Sequence, residues 1–288
     1  MNTATLRARA KINLHLEILG LRPDGYHELR TLFYPVDEPN DLLTVEPAPG
    51  EDFYIRCPGW PELETTSNLV YTAWKAFGEA AGFRPGVFVT LTKRIPMGGG
   101  LGGGSSDAAA MLAWLNQTAG EAALPRDELI RVAASVGADV PFFLMDGPAW
   151  AGGIGEELEP AQTCLSGKTL VIACPDIHVD TPWAFKAWDE ENGAPQAPQS
   201  LTSRATGSKN PTPVSPPEMT NDFEPVVFRR FPTLREIKEK LLEFGADHAA
   251  MSGSGASLFG IFPTRDSAMS AAKALEKNGI EIFTTDCP

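Results

Sequence analysis

Between residues 8 and 18 the chain alternates, with Ala8, Ala10, Ile12, Leu14, Leu16 and Ile18 apolar and Arg9, Lys11, Asn13, His15 and Glu17 set between them. A period of two predicts a half-buried strand that carries Lys11 and Asn13 on its polar face. Residues 87–92 predict another strand, which leads through Lys93, Arg94, Ile95 and Pro96 into a run of glycines. After that run Met111, Leu112 and Leu115 share one face of a helix, which Ser105, Ser106 or Asp107 is placed to cap. Residues 125–136 predict a helix that opens on Arg126, Asp127 and Glu128 and stops at Gly137. Further on, strands at 169–173, 256–262 and 280–284 interleave with helices at 232–244, closed by Gly245, and at 265–278. That order suggests a split βαβ, ferredoxin-like lobe. The whole pattern is α+β in two lobes, 1–155 and 156–288, divided at the Gly152, Gly153, Ile154, Gly155 cluster. Residues 193–217 lack periodicity and are dominated by Pro, Ser, Thr, Ala and Gln, so they read as a flexible surface insertion.

The glycine run narrows the chemistry. Pro96, Met97, Gly98, Gly99, Gly100, Leu101, Gly102, Gly103, Gly104, Ser105, Ser106 and Asp107 stand in sequence, with six glycines in seven positions from 98 to 104. Glycine lets backbone N–H groups turn toward a ligand and approach it closely. A helix N-terminus behind them attracts anions, so the run reads as a cradle for phosphates. Gly98, Gly100 and Gly103 satisfy the dinucleotide spacing, but the acidic residue about 20 positions on, Glu121, lies in a Gly/Ala/Pro-rich connection instead of at a strand end. Gly167, Lys168 and Thr169 supply the tail of a Walker loop whose first glycine would be Gln162, and that motif fails. The His-Arg-Asp and Asp-Phe-Gly signatures of protein kinases are absent from the sequence. A plain linker is not normally followed by an amphipathic helix.

Other residues leave alternatives open on their own chemistry. Asp139, followed by Val140, Pro141, Phe142, Phe143 and Leu144, is either a capping group at an element boundary or an active-site acid or base. Tyr26 and His27 sit in a turn begun by Asp24 and Gly25, where a ring and an imidazole can stack on and hydrogen-bond a base. Trp183, Phe185 and Trp188 have the spacing of a helix that packs one face inward, with Trp183 assigned to that packing.

Taken together, the run from Ala10 to Leu16, Arg22 to Leu29, Pro96 to Asp107, Gly137 to Phe142 and Ser252 to Ala256 resemble, in order and from end to end, the motifs of the GHMP kinases, small-molecule kinases that use ATP. The likeness is to the branch of that superfamily that acts on 4-diphosphocytidyl-2-C-methylerythritol. It implies a two-lobed fold with an N-terminal ribosomal-protein-S5-like ATP-binding lobe and a C-terminal ferredoxin-like lobe. It also implies that Lys11 and Asp139 are catalytic, and that Pro96 through Ser106 hold ATP. Asn13, Tyr26, His27, Thr181 and Phe185 would bind the cytidylyl substrate, with Lys186 beside them, and Lys93 and Asn68 would lie on the adenine side. Ser252 to Gly255 would lie near the phosphates. Asp139 would take the proton of the substrate's 2-hydroxyl while Lys11 lowers its pKa and stabilises the transferred charge. Magnesium would be held mainly by ATP and water, because no magnesium-ligand motif is identifiable. A kinase for another small alcohol such as homoserine, or a silent nucleotide-binding sensor on the same fold, are the competing readings. Tyr26 with His27, and Asp139, count against the first, and the presence of Lys11 and Asp139 against the second.

Composition adds exclusions. The 288 residues are 43% hydrophobic and 21% charged, enough to bury one large or two modest cores. No apolar run reaches bilayer length, and the first strand starts too early for a signal or transit peptide. Cys57, Cys164, Cys174 and Cys287 are widely spaced without metal-ligand pairing, as reduced cytoplasmic thiols are. A formal charge of -13 argues against nucleic-acid or anionic-membrane partners. The oligomeric state, monomer or weak dimer, is not legible.

Overall fold

The computed structural model describes residues 2–197 and 219–287. Two long strands, β1 (Ala4–Leu21) and β2 (His27–Pro47), pair with one another. The described residues divide by packing into two compact units, and both strands run through both. The first unit holds Met1–Ala10, Pro39–Pro96 and Gly102–Asp146; the second holds Lys11–Glu38, Met97–Leu101 and Gly147–Pro288.

In the first unit β3 (Phe53–Arg56), α1 (Leu69–Ala81), β4 (Val87–Thr92), α2 (Gly103–Thr118) and α3 (Arg126–Val136) follow in order. β4 runs parallel to β3 and antiparallel to β2, with Phe53 opposite Val87 and Leu43 opposite Leu91. Its alternation is real, since Val87, Val89 and Leu91 are buried while Phe88 and Thr92 are exposed. Those inward residues join Leu43, Val45, Phe77, Met111, Leu112 and Leu115 in one core over which α1, α2 and α3 pack. Each fully buried side chain of this kind contributes about 1.5–3 kcal/mol. α1 is fixed at both ends: the Asn68 side chain accepts from Val70 N–H, and Gly82 closes it in the left-handed conformation at φ 64°.

The start of α2 differs from the sequence expectation. The helix begins at Gly103, with Gly102 at its N-cap in the left-handed conformation (φ 72°) and no side-chain cap. Ser105, Ser106 and Asp107 therefore lie inside the first turns, because the glycine run itself bends into the helix. The first bond, Ser106 N–H to Gly102 O at 2.9 Å, leaves the Gly103–Ser105 amides without a helix carbonyl.

The second unit continues with β5 (Ala149–Gly152), β6 (Glu157–Pro160), β7 (Thr169–Cys174), α4 (Thr181–Asn192), α5 (Glu224–Arg230), α6 (Pro232–Glu243), β8 (His248–Met251), β9 (Leu258–Phe262), α7 (Arg265–Glu276) and β10 (Glu281–Asp286). β5 pairs with the early part of β2, Leu32 opposite Trp150, and with β6. The remaining strands form an antiparallel sheet in the order β10-β7-β9-β8. Numbered within the sheet that is 4-1-3-2, with α6 and α7 packed on it, the ferredoxin-like arrangement expected. β7 and β9 are buried at every position, as a strand covered on both faces must be. The structure places β9 two residues later than the strand read at 256–262, because Ser252–Ser257 form a tight turn before it, Ser252 N–H donating to Ser257 O at 2.9 Å. Of the proposed insertion at 193–217, residues 198–217 lie outside the described residues. Gly193 closes α4 at φ 75°, and Gln196 bridges to Leu21. Among the described residues no helix is long and apolar enough to cross a membrane.

Candidate active site

Lys11 and Asn13 lie on the polar face of β1 as expected, but at these two positions that face is buried. Lys11 is 4% and Asn13 3% exposed. A buried ammonium is costly unless hydrogen-bonded, and here Lys11 Nζ donates to Asn13 Oδ1 at 2.7 Å and sits 5.0 Å from the centre of the Phe33 ring. Asn13 Nδ2 donates to Thr31 Oγ1 at 2.8 Å, and Thr31 donates on to His15 O at 2.7 Å. This chain fixes the Asn13 amide so that its oxygen faces Lys11.

The first part of the glycine segment, Met97–Leu101, packs onto this group. Lys11 N–H donates to Leu101 O at 3.0 Å, and Ser257 N–H to Gly99 O at 3.2 Å. Ser252 Oγ donates to Gly100 O at 2.9 Å while accepting Asn13 N–H at 3.1 Å. The fit is tight enough to demand glycine: a Cβ on Gly100, at φ +76°, would lie 2.2 Å from Ser252 O. The Ser252–Gly255 motif is thus joined to Lys11, Asn13 and the glycine segment. Asn221, which the sequence reading did not single out, secures it, with Nδ2 donating to Met251 O at 2.7 Å and Gly253 O at 2.8 Å.

From Gly102 on, the segment belongs to the first unit, as does Asp139. Asp139 lies half-buried between α3 and the 3-10 turn Pro141–Leu144. Gly137 is the C-cap of that helix and Val140 the N-cap of the turn, with Asp139 between them. In the same unit Lys93 is buried between two carboxylates, donating to Asp41 and, at 2.8 Å, to Asp107. Asp41 also accepts Arg94 N–H at 2.5 Å and Ile95 N–H at 2.9 Å. Burial alone would lower the Lys93 pKa, but Asp107 and Asp41 hold it above its ordinary value. Burial pushes the Asp107 carboxyl up to about 8, against the pull of Lys93. The two residues assigned to the adenine side are therefore both engaged within the unit, Lys93 by these carboxylates and Asn68 by its cap and a 3.0 Å bond from Nδ2 to Leu63 O. Asp41 and Asp107 were missed as partners, because nothing in the spacing of residues 41, 93 and 107 signals that they meet.

The aromatic residues assigned to the substrate gather in part. His27 stacks on Phe185 with centroids 4.5 Å apart and planes 17° from parallel, and its Nε2 is 2.9 Å from Asp189 Oδ1. Thr181, one turn before Phe185 on α4, shares a 2.7 Å bond with Ser254 Oγ. Tyr26 presents a 61% exposed ring, its N–H donating to Asp24 Oδ1 at 3.1 Å. Trp183 meets Phe231 edge-on, and Trp188 is buried, in keeping with inward packing. Lys186 is exposed.

A glycine segment ending on a helix N-terminus, a buried lysine beside it and a ferredoxin-like sheet define a class. The model "GHMP kinases N terminal domain" matches residues 68–147 and "GHMP kinases C terminal" matches 216–281, and the chain is an ATP-dependent small-molecule kinase of the two-lobed α+β GHMP type. A protein of Solidesulfovibrio magneticus named 4-diphosphocytidyl-2-C-methyl-D-erythritol kinase is 44% identical over 272 residues, 93% of this chain and 92% of that protein. A crystal structure of 4-(cytidine 5'-diphospho)-2C-methyl-D-erythritol kinase superposes with a TM-score of 0.78 at 37% identity, covering 99% of this chain and 100% of the other. Homoserine kinase from Cytophaga hutchinsonii, covering 99% of this chain and 95% of its own, reaches 0.74 at 18% identity, a likeness of fold alone. This chain belongs to the 4-diphosphocytidyl-2-C-methyl-D-erythritol kinase family.

Proposed function

We propose that Lys11, Asp139 and the glycine segment carry out the reaction of this family, transfer of the γ-phosphate of ATP to the 2-hydroxyl of 4-diphosphocytidyl-2-C-methyl-D-erythritol, in the non-mevalonate route to isoprenoid precursors. The observation that carries the assignment is the buried Lys11, oriented by Asn13 and bonded through its own N–H to the glycine segment. The amides from Pro96 through Ser106, ending on α2, receive the phosphates, where backbone donors and the helix N-terminus favour negative charge. Asp139 accepts the proton of the attacking hydroxyl, and Lys11 stabilises the alkoxide and the charge on the transferred group. Magnesium would come bound to ATP, neutralising its phosphates.

Asn13, Tyr26, His27, Thr181 and Phe185 bind the cytidylyl substrate in this account. His27 and Phe185 already stack on each other, so the exposed Tyr26 ring supplies the open face for the base. In a neutral ring whose Nε2–H donates to Asp189, His27 Nδ1 is an acceptor, suited to the exocyclic amino group of cytosine. The functional division of the chain falls near residue 155, and the protein works in the cytoplasm, a setting suited to its four unpaired cysteines.

Asp139→Asn and Lys11→Met test the roles. Each should lower kcat by about 10²- to 10⁴-fold while calorimetry finds the affinities for ATP and the cytidylyl substrate within about threefold of the parent. A variant that keeps kcat and loses affinity removes that residue from the chemistry.

A further inference from the structure

Lys93 follows the strand that leads into the glycine segment, and Asp107 lies in the helix that leaves it. Asp41, on β2, accepts from three donors: Lys93 Nζ, Arg94 N–H and Ile95 N–H. Asp107 is 2% exposed; one of its oxygens accepts from Lys93, and the other, Oδ1, has no hydrogen-bond partner among the described residues. Lys93 lies so close against the start of α2 that a Cβ on Gly103 would stand 3.2 Å from its Nζ and 3.0 Å from Ile95 Cγ2. A side chain there would press on the clamp, so its neighbours would have to give by a few tenths of an ångström, apart from any ligand. The other ionisable groups facing the cluster are Cys57, whose thiol burial pushes up to about 11, and Glu64, which accepts Cys57 N–H.

Two carboxylates and one ammonium, closed off from water, carry one negative charge too many. A further proton on the cluster belongs to Asp107, because Asp41 has three donors and Asp107 Oδ1 has none. We infer that Lys93, clamped by Asp41 and Asp107, is a positioning residue that fixes both ends of the glycine segment, and that Asp107 sets by its protonation the charge the α2 N-terminus presents to ATP. The inference rests on the reading that ATP phosphates bind this segment. With Asp107 protonated, the cluster is neutral and the helix end attracts phosphate in full; with Asp107 ionised, one negative charge stands in the first turns of the same helix and opposes it. The raised Asp107 pKa places the change near pH 8, above the titration of phosphate itself.

The test is the pH dependence, from pH 7 to 9.5, of KM for magnesium-ATP and for the cytidylyl substrate in the parent protein, Asp107→Asn and Gly104→Ala. The Asn side chain keeps the shape without the charge. A Cβ on Gly104 has room, its nearest neighbour Leu69 Cδ1 at 3.6 Å, so that variant should fold while adding a methyl within the segment read as the phosphate site. In the parent, KM for ATP should rise roughly threefold to tenfold with pH, the effect of one screened charge near the phosphates, while KM for the second substrate does not follow. Asp107→Asn should flatten the rise. A clamp that only stabilises the fold would lower kcat and Tm and leave that profile unchanged. If Gly104→Ala raises KM for ATP but the parent shows no rise, or Asp107→Asn keeps it, the inference is overturned and the phosphate site stands. If neither variant alters KM for ATP, the phosphate site itself is misplaced and both readings fall.

Discussion

Lys11 shows how one residue can be legible in position and illegible in state. The alternation of residues 8–18 put it on a polar strand face, and such a face is usually wet; only the structure shows it buried against Asn13 and Phe33. The partners are distant in sequence, Ser252 being 239 positions from Asn13, and no local pattern encodes that meeting. The sequence reads Gly100 as part of a phosphate cradle; the structure adds a separate duty, making room for Ser252 O, that the sequence does not show. That duty predicts that Gly100→Ala is harmful without any ligand present. A side chain at φ +76° with a Cβ 2.2 Å from a carbonyl oxygen should cost on the order of 2 kcal/mol or more in denaturant unfolding. An unfolding midpoint equal to the parent's would show that the segment and Ser252 do not pack as described.

At the scale of elements, long periodic segments read well and short ones did not. β4, α3, α6, α7 and β7 came within two residues of their observed ends, because each shows a sustained apolar face, a continuous apolar run or a clear stop. β5, β6 and β8, four residues each, offer too few positions for a period to emerge. The start of α2 was misplaced because capping chemistry was assigned to hydroxyl and carboxyl side chains, while left-handed Gly102 makes the turn unaided. Asn68 carries a helix cap that the sequence reading did not single out. Since its oxygen accepts Val70 N–H and its amide donates to Leu63 O, Asn68→Ala should cost about 0.5–2 kcal/mol of stability. If capping is its only role, KM for ATP should stay within about twofold of the parent's, and a tenfold rise at unchanged stability would show that Asn68 also serves the adenine side.

At the scale of the whole molecule, fold and reaction were the most readable properties and contacts the least. Order and spacing of five motifs were enough to point to the two-lobed GHMP type, and the 4-1-3-2 sheet confirms the ferredoxin-like half. Contacts such as Lys93 with Asp41 and Asp107 depend on tertiary packing that brings residues 41, 93 and 107 together. The net charge of -13 is no obstacle to an anionic nucleotide, whose binding depends on the local field more than on total charge. The central claim is that this chain phosphorylates the 2-hydroxyl of the cytidylyl substrate with Asp139 as base. Phosphorus NMR of the protein with magnesium-ATP and 4-diphosphocytidyl-2-C-methyl-D-erythritol, beside Asp139→Asn and a homoserine control, tests it most directly. The account predicts a new phosphomonoester resonance on the cytidylyl compound that the variant does not produce and homoserine does not share. A phosphomonoester on homoserine alone, or one formed by Asp139→Asn at the parent's rate, would contradict it.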